Sequence, residues 1–355
     1  MIAEKMQNMV KNSSAIRAMF EEGNRLAKIY GPENVFDFSL GNPNVPAPKS
    51  VKDAIIDILN EEDPVALHGY TNSNAGYEDV RQAVADSLNG RFDTAFSARN
   101  IVMSVGAAGG LNVALKILLN PGDEVITFAP YFGEYRSYTA NFDGVLIAIS
   151  PDTETFQPKL DEFAEKITEK TKAVIVNTPN NPTGVVYSEE TIKKMAAIME
   201  AKQKEFGTEI YLISDEPYRE IVFEGVDAPY VSKMYDNTLS CYSYSKSLSL
   251  PGERIGYVAA NPKCTDAELI SVICSQISRG IGHNCPPSII QIAVAEVGGL
   301  TADLSVYETN MKLIYDELVK LGFTCVKPGG TFYIFPKALE EDSVAFCQKA
   351  LKYDL

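Results

Sequence analysis

The stretch Ala173-Val174-Ile175-Val176-Asn177-Thr178-Pro179-Asn180-Asn181-Pro182-Thr183-Gly184 decides the fold class. It begins as an apolar, β-branched run and stops in a rigid turn of prolines, asparagines and a glycine. A short run without polar alternation, closed by such a turn, reads as a strand buried on both faces. Runs of the same kind occur at Ile101 to Val105, Glu124 to Phe128, Val145 to Ile149, Ile210 to Ser214, Leu239 to Tyr242 and Ile255 to Ala259. Helical patterns lie between several of them, at Leu111 to Leu119, Leu160 to Lys166 and Glu189 to Lys204. Strands alternating with helices predict an α/β domain whose mostly parallel sheet is covered by helices. Ligands then belong at the carboxyl ends of the strands.

The flanks read differently. Residues 1 to 30 are a polar arm and then a helix, with Asn12-Ser13-Ser14 able to cap it, followed by turn residues from Asp37 to Pro43. Two further helices, Ser50 to Leu59 and Tyr77 to Leu88, enclose a polar loop from Gly69 to Gly76. Near the other end, Pro287 to Val297 is an apolar helix and Leu304 to Leu321 an amphipathic one. Phe323 to Val326 and Thr331 to Phe335 read as a pair of strands. The expected division is 1–41 as an arm and part of a small domain, 42–300 as the large domain, and 301–355 as the rest of a small α+β domain.

Composition narrows the function. With 45% apolar and 22% charged residues the chain is an ordinary soluble protein. A formal net charge of −15 and the lack of a basic stripe argue against nucleic-acid partners. The six cysteines are dispersed without a CxxC, which suggests a reduced, cytoplasmic setting. His68 and His283 are the only histidines and lie far apart, so no metal site is expected. No apolar stretch reaches the roughly 18 to 20 residues of a membrane span.

Chemistry-bearing groups cluster at the strand ends. In Ser243-Tyr244-Ser245-Lys246, with Arg254 eight residues on, the amine can hold an aldehyde as a Schiff base. The hydroxyls and the guanidinium can bind a phosphate, although a solvated loop lysine fits the same short string. Ser104 to Gly110 joins a strand to a helix through small residues, which suits either an anion at a helix N-terminus or close packing. Ala129-Pro130-Tyr131-Phe132-Gly133-Glu134-Tyr135 ends a strand with three aromatics and offers a flat ring for stacking, or simply core. Asn181, in its rigid turn, can donate an amide to a cofactor oxygen. Asp215, ending the run Leu212-Ile213-Ser214, needs a cation if it is buried and ionised, or else caps a helix.

Together these motifs, with Gly106-Ala107-Ala108, Pro130-Tyr131-Phe132, Asn180 to Gly184, Ser214 to Tyr218 and Ser243 to Lys246 in order, resemble the pyridoxal-phosphate aminotransferases of the aspartate aminotransferase type, class I/II and fold type I. The resemblance runs from about Phe36 to the chain end. It implies pyridoxal 5'-phosphate as cofactor, with Lys246 as the Schiff-base lysine and then the acid/base at the substrate α-carbon. Asp215 would hold the pyridine nitrogen protonated, and Asn181 and Tyr218 would bond the phenolic oxygen. Phe132 would stack on the ring, where relatives often carry tryptophan. Gly106, Ala107, Ala108, Ser243, Ser245 and Arg254 would meet the phosphate. Tyr70 would reach the phosphate of a neighbouring subunit, which implies a homodimer. Gly41 would line the substrate entrance, and Arg279 lies near a cross-subunit arginine of dicarboxylate-specific relatives, one residue out of register.

The implied activity is transfer of an amino group from an amino acid to a 2-oxo acid. A β-lyase or other α-carbon chemistry uses the same cofactor motifs, and a non-catalytic ligand sensor reuses the fold. A nicotinamide-dependent dehydrogenase lacks its GxGxxG here. The family also carries an arginine near its C-terminus that clamps the substrate carboxylate, and the chain ends at Leu355 before that position. The small domain is therefore expected to be C-terminally incomplete. Losing a contact of about 1.5 to 3 kcal/mol would weaken substrate binding roughly ten- to a hundredfold, so the 355-residue chain is expected to hold cofactor but turn over amino acids poorly.

Overall fold

A computed structural model of the chain describes residues 2, 7, 15–36, 38 and 40–350. They belong to two compact units, Met1–Asn42 and Pro43–Leu355. In the first unit a helix spans Ala15–Tyr30, with Lys28 in its last turn, where the helix dipole favours a cation. It stops at Gly31, whose φ of 88° suits a residue without a β-carbon and whose N–H donates to the Ala27 carbonyl at 3.0 Å. The cap expected at Asn12-Ser13-Ser14 lies outside the described residues, as do Asp37 and Ser39 of the following turn.

The second unit is built on seven strands: β1 (Ile101–Ser104), β2 (Glu124–Phe128), β3 (Val145–Ile149), β4 (Thr171–Asn177), β5 (Tyr211–Asp215), β6 (Thr238–Ser243) and β7 (Gly256–Ala260). Their ends agree with the sequence expectation to within two residues. The spatial order is β1-β7-β6-β5-β4-β2-β3. Strands β2 to β6 pair in parallel, and β7 is antiparallel to both of its neighbours. The mostly parallel sheet is therefore observed, with β7 as its exception. Since β7 reverses twice, β1 points the same way as β6. Every parallel strand and β1 thus end on one edge.

Burial on both faces explains the unbroken apolar runs. Successive residues of β1 divide between two clusters, Ile101 and Met103 in one and Val102 in the other. The first cluster includes Val80, Val84 and Leu88 of helix Glu78–Phe92 and Ile290 and Val294 of helix Ser288–Glu296. On the second face, Ala173, Ile175, Ile213 and Val258 pack with Leu111 and Leu115 of helix Gly106–Leu118 and with Ile270 and Cys274 of helix Ala267–Gly280. A third cluster sets Val174, Val176 and Leu212 against Ile192, Met195 and Met199 of helix Glu189–Phe206. Each Val, Leu, Ile or Met side chain among them contributes about 1.5 to 3 kcal/mol on burial. The helices Pro64–His68, Glu134–Asn141 and Ala267–Gly280 were not anticipated from the sequence.

One expectation is corrected. Residues 323–326 and 331–335 do not form paired strands; Cys325 makes a single bridge to Pro336, and Gly330 makes one to Val222. The backbone of this segment bonds elsewhere. Gly329 and Gly330 N–H groups donate to the Gly184 carbonyl at 2.9 and 3.0 Å, and Thr331 N–H donates to Ile221 at 2.9 Å. One rung of local pairing remains, where Lys337 N–H donates to the Thr324 carbonyl at 2.8 Å, while the residues between bond to the loops after β4 and β5 in place of a longer hairpin.

Among the described glycines, Gly256 leaves the least room for a side chain. A β-carbon there would lie 2.1 Å from the Tyr242 carbonyl oxygen and 3.1 Å from the Gly106 backbone. Neither neighbour can rotate aside. Gly256→Ala is expected to cost roughly 1 to 3 kcal/mol of stability, read as a lower urea midpoint; a midpoint equal to the parent's would contradict the contact.

Candidate active site

Asp215 is the best-defined charge at the strand ends. It closes β5, opposite Asn177 of β4 and Cys241 of β6 in the parallel register. Only 4% of it is exposed. Tyr135, in helix Glu134–Asn141, donates its hydroxyl to Oδ2 at 2.6 Å. The other oxygen, Oδ1, is buried and has no hydrogen-bond partner among the described residues. Burial raises the pKa of this carboxyl to about 7, with the Tyr135 bond opposing the rise and the Glu216 charge adding to it. A cationic N–H at Oδ1 would satisfy the orphaned oxygen and favour the ionised form. The site therefore fits a protonated pyridine nitrogen.

The turn after β4 is fastened to this strand end. Asn177 donates its amide to the Asp215 carbonyl at 2.8 Å and accepts the Asn181 N–H at 2.6 Å. Asn180 Oδ1 accepts both the N–H and the hydroxyl of Thr183, which holds the turn closed. Asn181 is half-buried and donates its side-chain amide to the Tyr218 hydroxyl at 3.4 Å. That hydroxyl also lies 3.1 Å from the hydroxyl of Tyr333. Burial, with Tyr333 beside it, holds the Tyr218 phenol well above its usual pKa, so it stays a donor.

Lys246 lies in the single helical turn Tyr244–Ser247 that follows β6, with Ser243 capping the turn by accepting the Ser245 N–H at 3.2 Å. Its ammonium sits 5.4 Å from the centroid of the Phe332 ring. Burial, and next the charge of Arg254, lower its pKa to about 8. An amine so tuned is a usable nucleophile near neutrality.

Three groups converge beside the lysine turn. Gly106 has a φ of 72°, and a β-carbon there would come 3.1 Å from Arg254 Nη2 and 3.6 Å from Ser243 Oγ. Gly106, Ala107 and Ala108 open the helix Gly106–Leu118, whose first N–H groups have no partner within the helix. Arg254 takes a left-handed backbone, with Nη1 bonded to the Pro251 carbonyl at 2.9 Å. Ser243 and the buried Ser245 are hydroxyl partners at 2.7 Å. The cup suits a phosphate.

Other expected residues stand apart. Phe132 is half-buried and meets the Tyr135 ring edge-on at 5.7 Å, which puts it next to the partner of Asp215. Tyr70 is fully exposed, and Arg279 is exposed at the end of its helix. The contacts that assemble the site involve neither. Gly41 belongs to the first unit. Sequence reading assigned no role to Tyr135, Asn177, Phe332 or Tyr333. All four lie in motifs that had been singled out, but only tertiary pairing gives them their partners.

The family model described as Aminotransferase class I and II matches residues 33–354. The chain belongs to that family. An aspartate aminotransferase of Thermotoga maritima is 31% identical over 327 residues, spanning 90% of this chain and 81% of that protein. One from Geobacillus stearothermophilus is 30% identical over 94% of this chain and 83% of its own. A solved amino transferase from Eubacterium rectale is 46% identical, with a TM-score of 0.95 over 100% of this chain and 89% of that one. This aminotransferase has the fold type I architecture, and its family activity is amino-group transfer.

The Asp215 environment makes stability depend on pH in a defined direction. Its carboxyl pKa is about 7 when folded without a cation, against an ordinary 3.8, so the native state holds the proton more tightly. Stability contributed by that proton is lost as pH rises through this window. In cofactor-free aminotransferase, Asp215→Asn keeps an acceptor for Tyr135 and removes the charge. It should raise the urea midpoint above the parent's at about pH 8 and lose most of that advantage only by about pH 4, near the ordinary carboxyl value. A parent more stable than the variant at both values would contradict the burial argument.

Proposed function

We propose that this aminotransferase holds pyridoxal 5'-phosphate at the carboxyl ends of β4, β5 and β6 and moves an amino group from an α-amino acid to a 2-oxo acid. The observation that carries the reading is Asp215, a buried carboxyl with one bonded oxygen and one orphaned oxygen. The cofactor, when bound, supplies an electron sink for the α-carbon. Asp215 would hold its ring N–H, while Asn181 and Tyr218 would donate to its phenolic oxygen. The N–H groups of Gly106, Ala107 and Ala108, with Ser243, Ser245 and Arg254, would hold its phosphate. Phe132 would cover a ring face. Lys246 would bond its aldehyde carbon and, once displaced by substrate, hold and move the α-proton as a base of pKa about 8.

The full exposure of Tyr70 supports its service to a second copy, and we place the working form as a homodimer. Arg279 is assigned to the substrate side, because an exposed guanidinium can meet an anionic side chain. Among the described residues no helix is long and apolar enough to cross a membrane. The six free, dispersed cysteines support reading it as a cytoplasmic enzyme, and the net charge of −15 supports the absence of a nucleic-acid partner.

Purified protein mixed with pyridoxal phosphate should develop a violet absorbance band that Lys246→Ala abolishes. In the same variant, amino transfer to 2-oxoglutarate should fall by about 10²- to 10⁴-fold, the worth of a positioned acid/base. A band that persists in Lys246→Ala would contradict the assignment.

A further inference from the structure

A polar cluster that the proposed chemistry does not use joins the two ends of the site. Arg219 is largely enclosed, its side chain 10% exposed, with Nη1 at 3.0 Å from Glu216 Oε2 and Nε at 3.2 Å from Glu220 Oε1. Its Nη2 donates to the Tyr257 hydroxyl at 2.9 Å, and its guanidinium lies 4.1 Å from the Tyr242 ring centroid. Arg91 adds a contact to Glu220 Oε1 at 2.8 Å. Two arginines thus balance two carboxylates. Burial works against the Glu220 charge, but Arg219 and Arg91 hold its pKa below the ordinary carboxylate value.

Proton inventory gives the cluster a direction. The Tyr242 hydroxyl lies 2.9 Å from Glu220 Oε2 and 2.7 Å from Ser247 Oγ. An ionised carboxylate only accepts, so Tyr242 spends its single proton on Glu220. Ser247 must then donate to Tyr242. Ser247 closes the helical turn that carries Lys246. At the other end, Glu216 directly follows Asp215, accepts the Ser240 hydroxyl at 2.9 Å, and donates its N–H to the Cys241 carbonyl at 2.9 Å.

We infer that Glu220 and Tyr242 are positioning residues that, through Ser247, fix the Lys246 turn relative to the Asp215 strand end. The inference rests on the reading that Lys246 bonds the cofactor. A buried ion-pair cluster is a weak source of net stability, since apolar replacements often serve as well. Fixing geometry is a separate service. Reacting groups must be held closely, and a misplacement of about 1 Å can cost on the order of a hundredfold in rate.

The test mixes cofactor-free protein with pyridoxal phosphate and follows growth of the violet band, with inorganic phosphate as competitor. Tyr242→Phe keeps the ring that faces Arg219 and stacks on Tyr257 at 4.9 Å, but it breaks the link. Ser247→Ala removes one hydroxyl and carries the same test if Tyr242→Phe does not fold. Each variant is expected to slow band formation about tenfold, while phosphate competes as in the parent, because Gly106, Ser243 and Arg254 are untouched. The double variant should be no slower than the slower single one. Parental rates in both variants, an equal loss of phosphate affinity, or additive losses would overturn the relay. A parent without the band would overturn the cofactor reading and the relay with it; a parent band with unchanged variant rates would overturn the relay alone.

Discussion

Asp215 ends β5 with one oxygen bonded to Tyr135 and the other bonded to nothing among the described residues. An unmatched buried polar atom costs about 1 to 3 kcal/mol, and more when charged. The fold carries that cost at one strand end and surrounds it with groups that keep it in place. Asn177 holds the Asp215 carbonyl, and Tyr135 holds one carboxyl oxygen. What is left open is an acceptor for a cationic N–H, which is the property a pyridine cofactor requires.

Parallel pairing makes such an acceptor useful. Because β4, β5 and β6 run the same way, the Asn181 turn, Asp215 and the Lys246 turn emerge on one edge. Ser104 of β1 and Ser243 of β6 both lie opposite Gly256, so the Gly106 helix start comes out beside Ser243 and Arg254. Gly256 has no side chain because the Tyr242 carbonyl fills the space one would need. Gly184 plays a similar part after β4, where a β-carbon would come 2.5 Å from the Tyr333 carbonyl. That close approach brings Tyr333 to Tyr218 and Phe332 to Lys246.

The strands were legible because burial on both faces demands an unbroken apolar run, as in Ala173 to Asn177. The lysine, the aspartate and the Asn181 turn were legible because each ends such a run with a residue the core would not otherwise choose. Tyr135 was not, since a phenol in the first turn of a short helix looks like packing until Asp215 is seen at 2.6 Å. The segment from 323 to 335 misled for a related reason. Gly329, Gly330 and Thr331 within it donate their N–H groups to Gly184 and Ile221, which no local pattern encodes. Nor did the sequence mark Arg219, Glu220 and Tyr242 as a unit, because their pairing depends on β5 and β6 lying next to one another.

The protonation state of Asp215 is the central claim, and infrared difference spectroscopy reads it directly, with Asp215→Asn to assign the band. Cofactor-free protein should show a carboxylic acid band that titrates near pH 7, the value to which burial raises this group. Adding pyridoxal phosphate should abolish that band across the neutral range, as the acid gives way to a carboxylate paired with a cation. A group already ionised at pH values well below 7 in the free protein, or a titration that the cofactor leaves unmoved, would contradict the account.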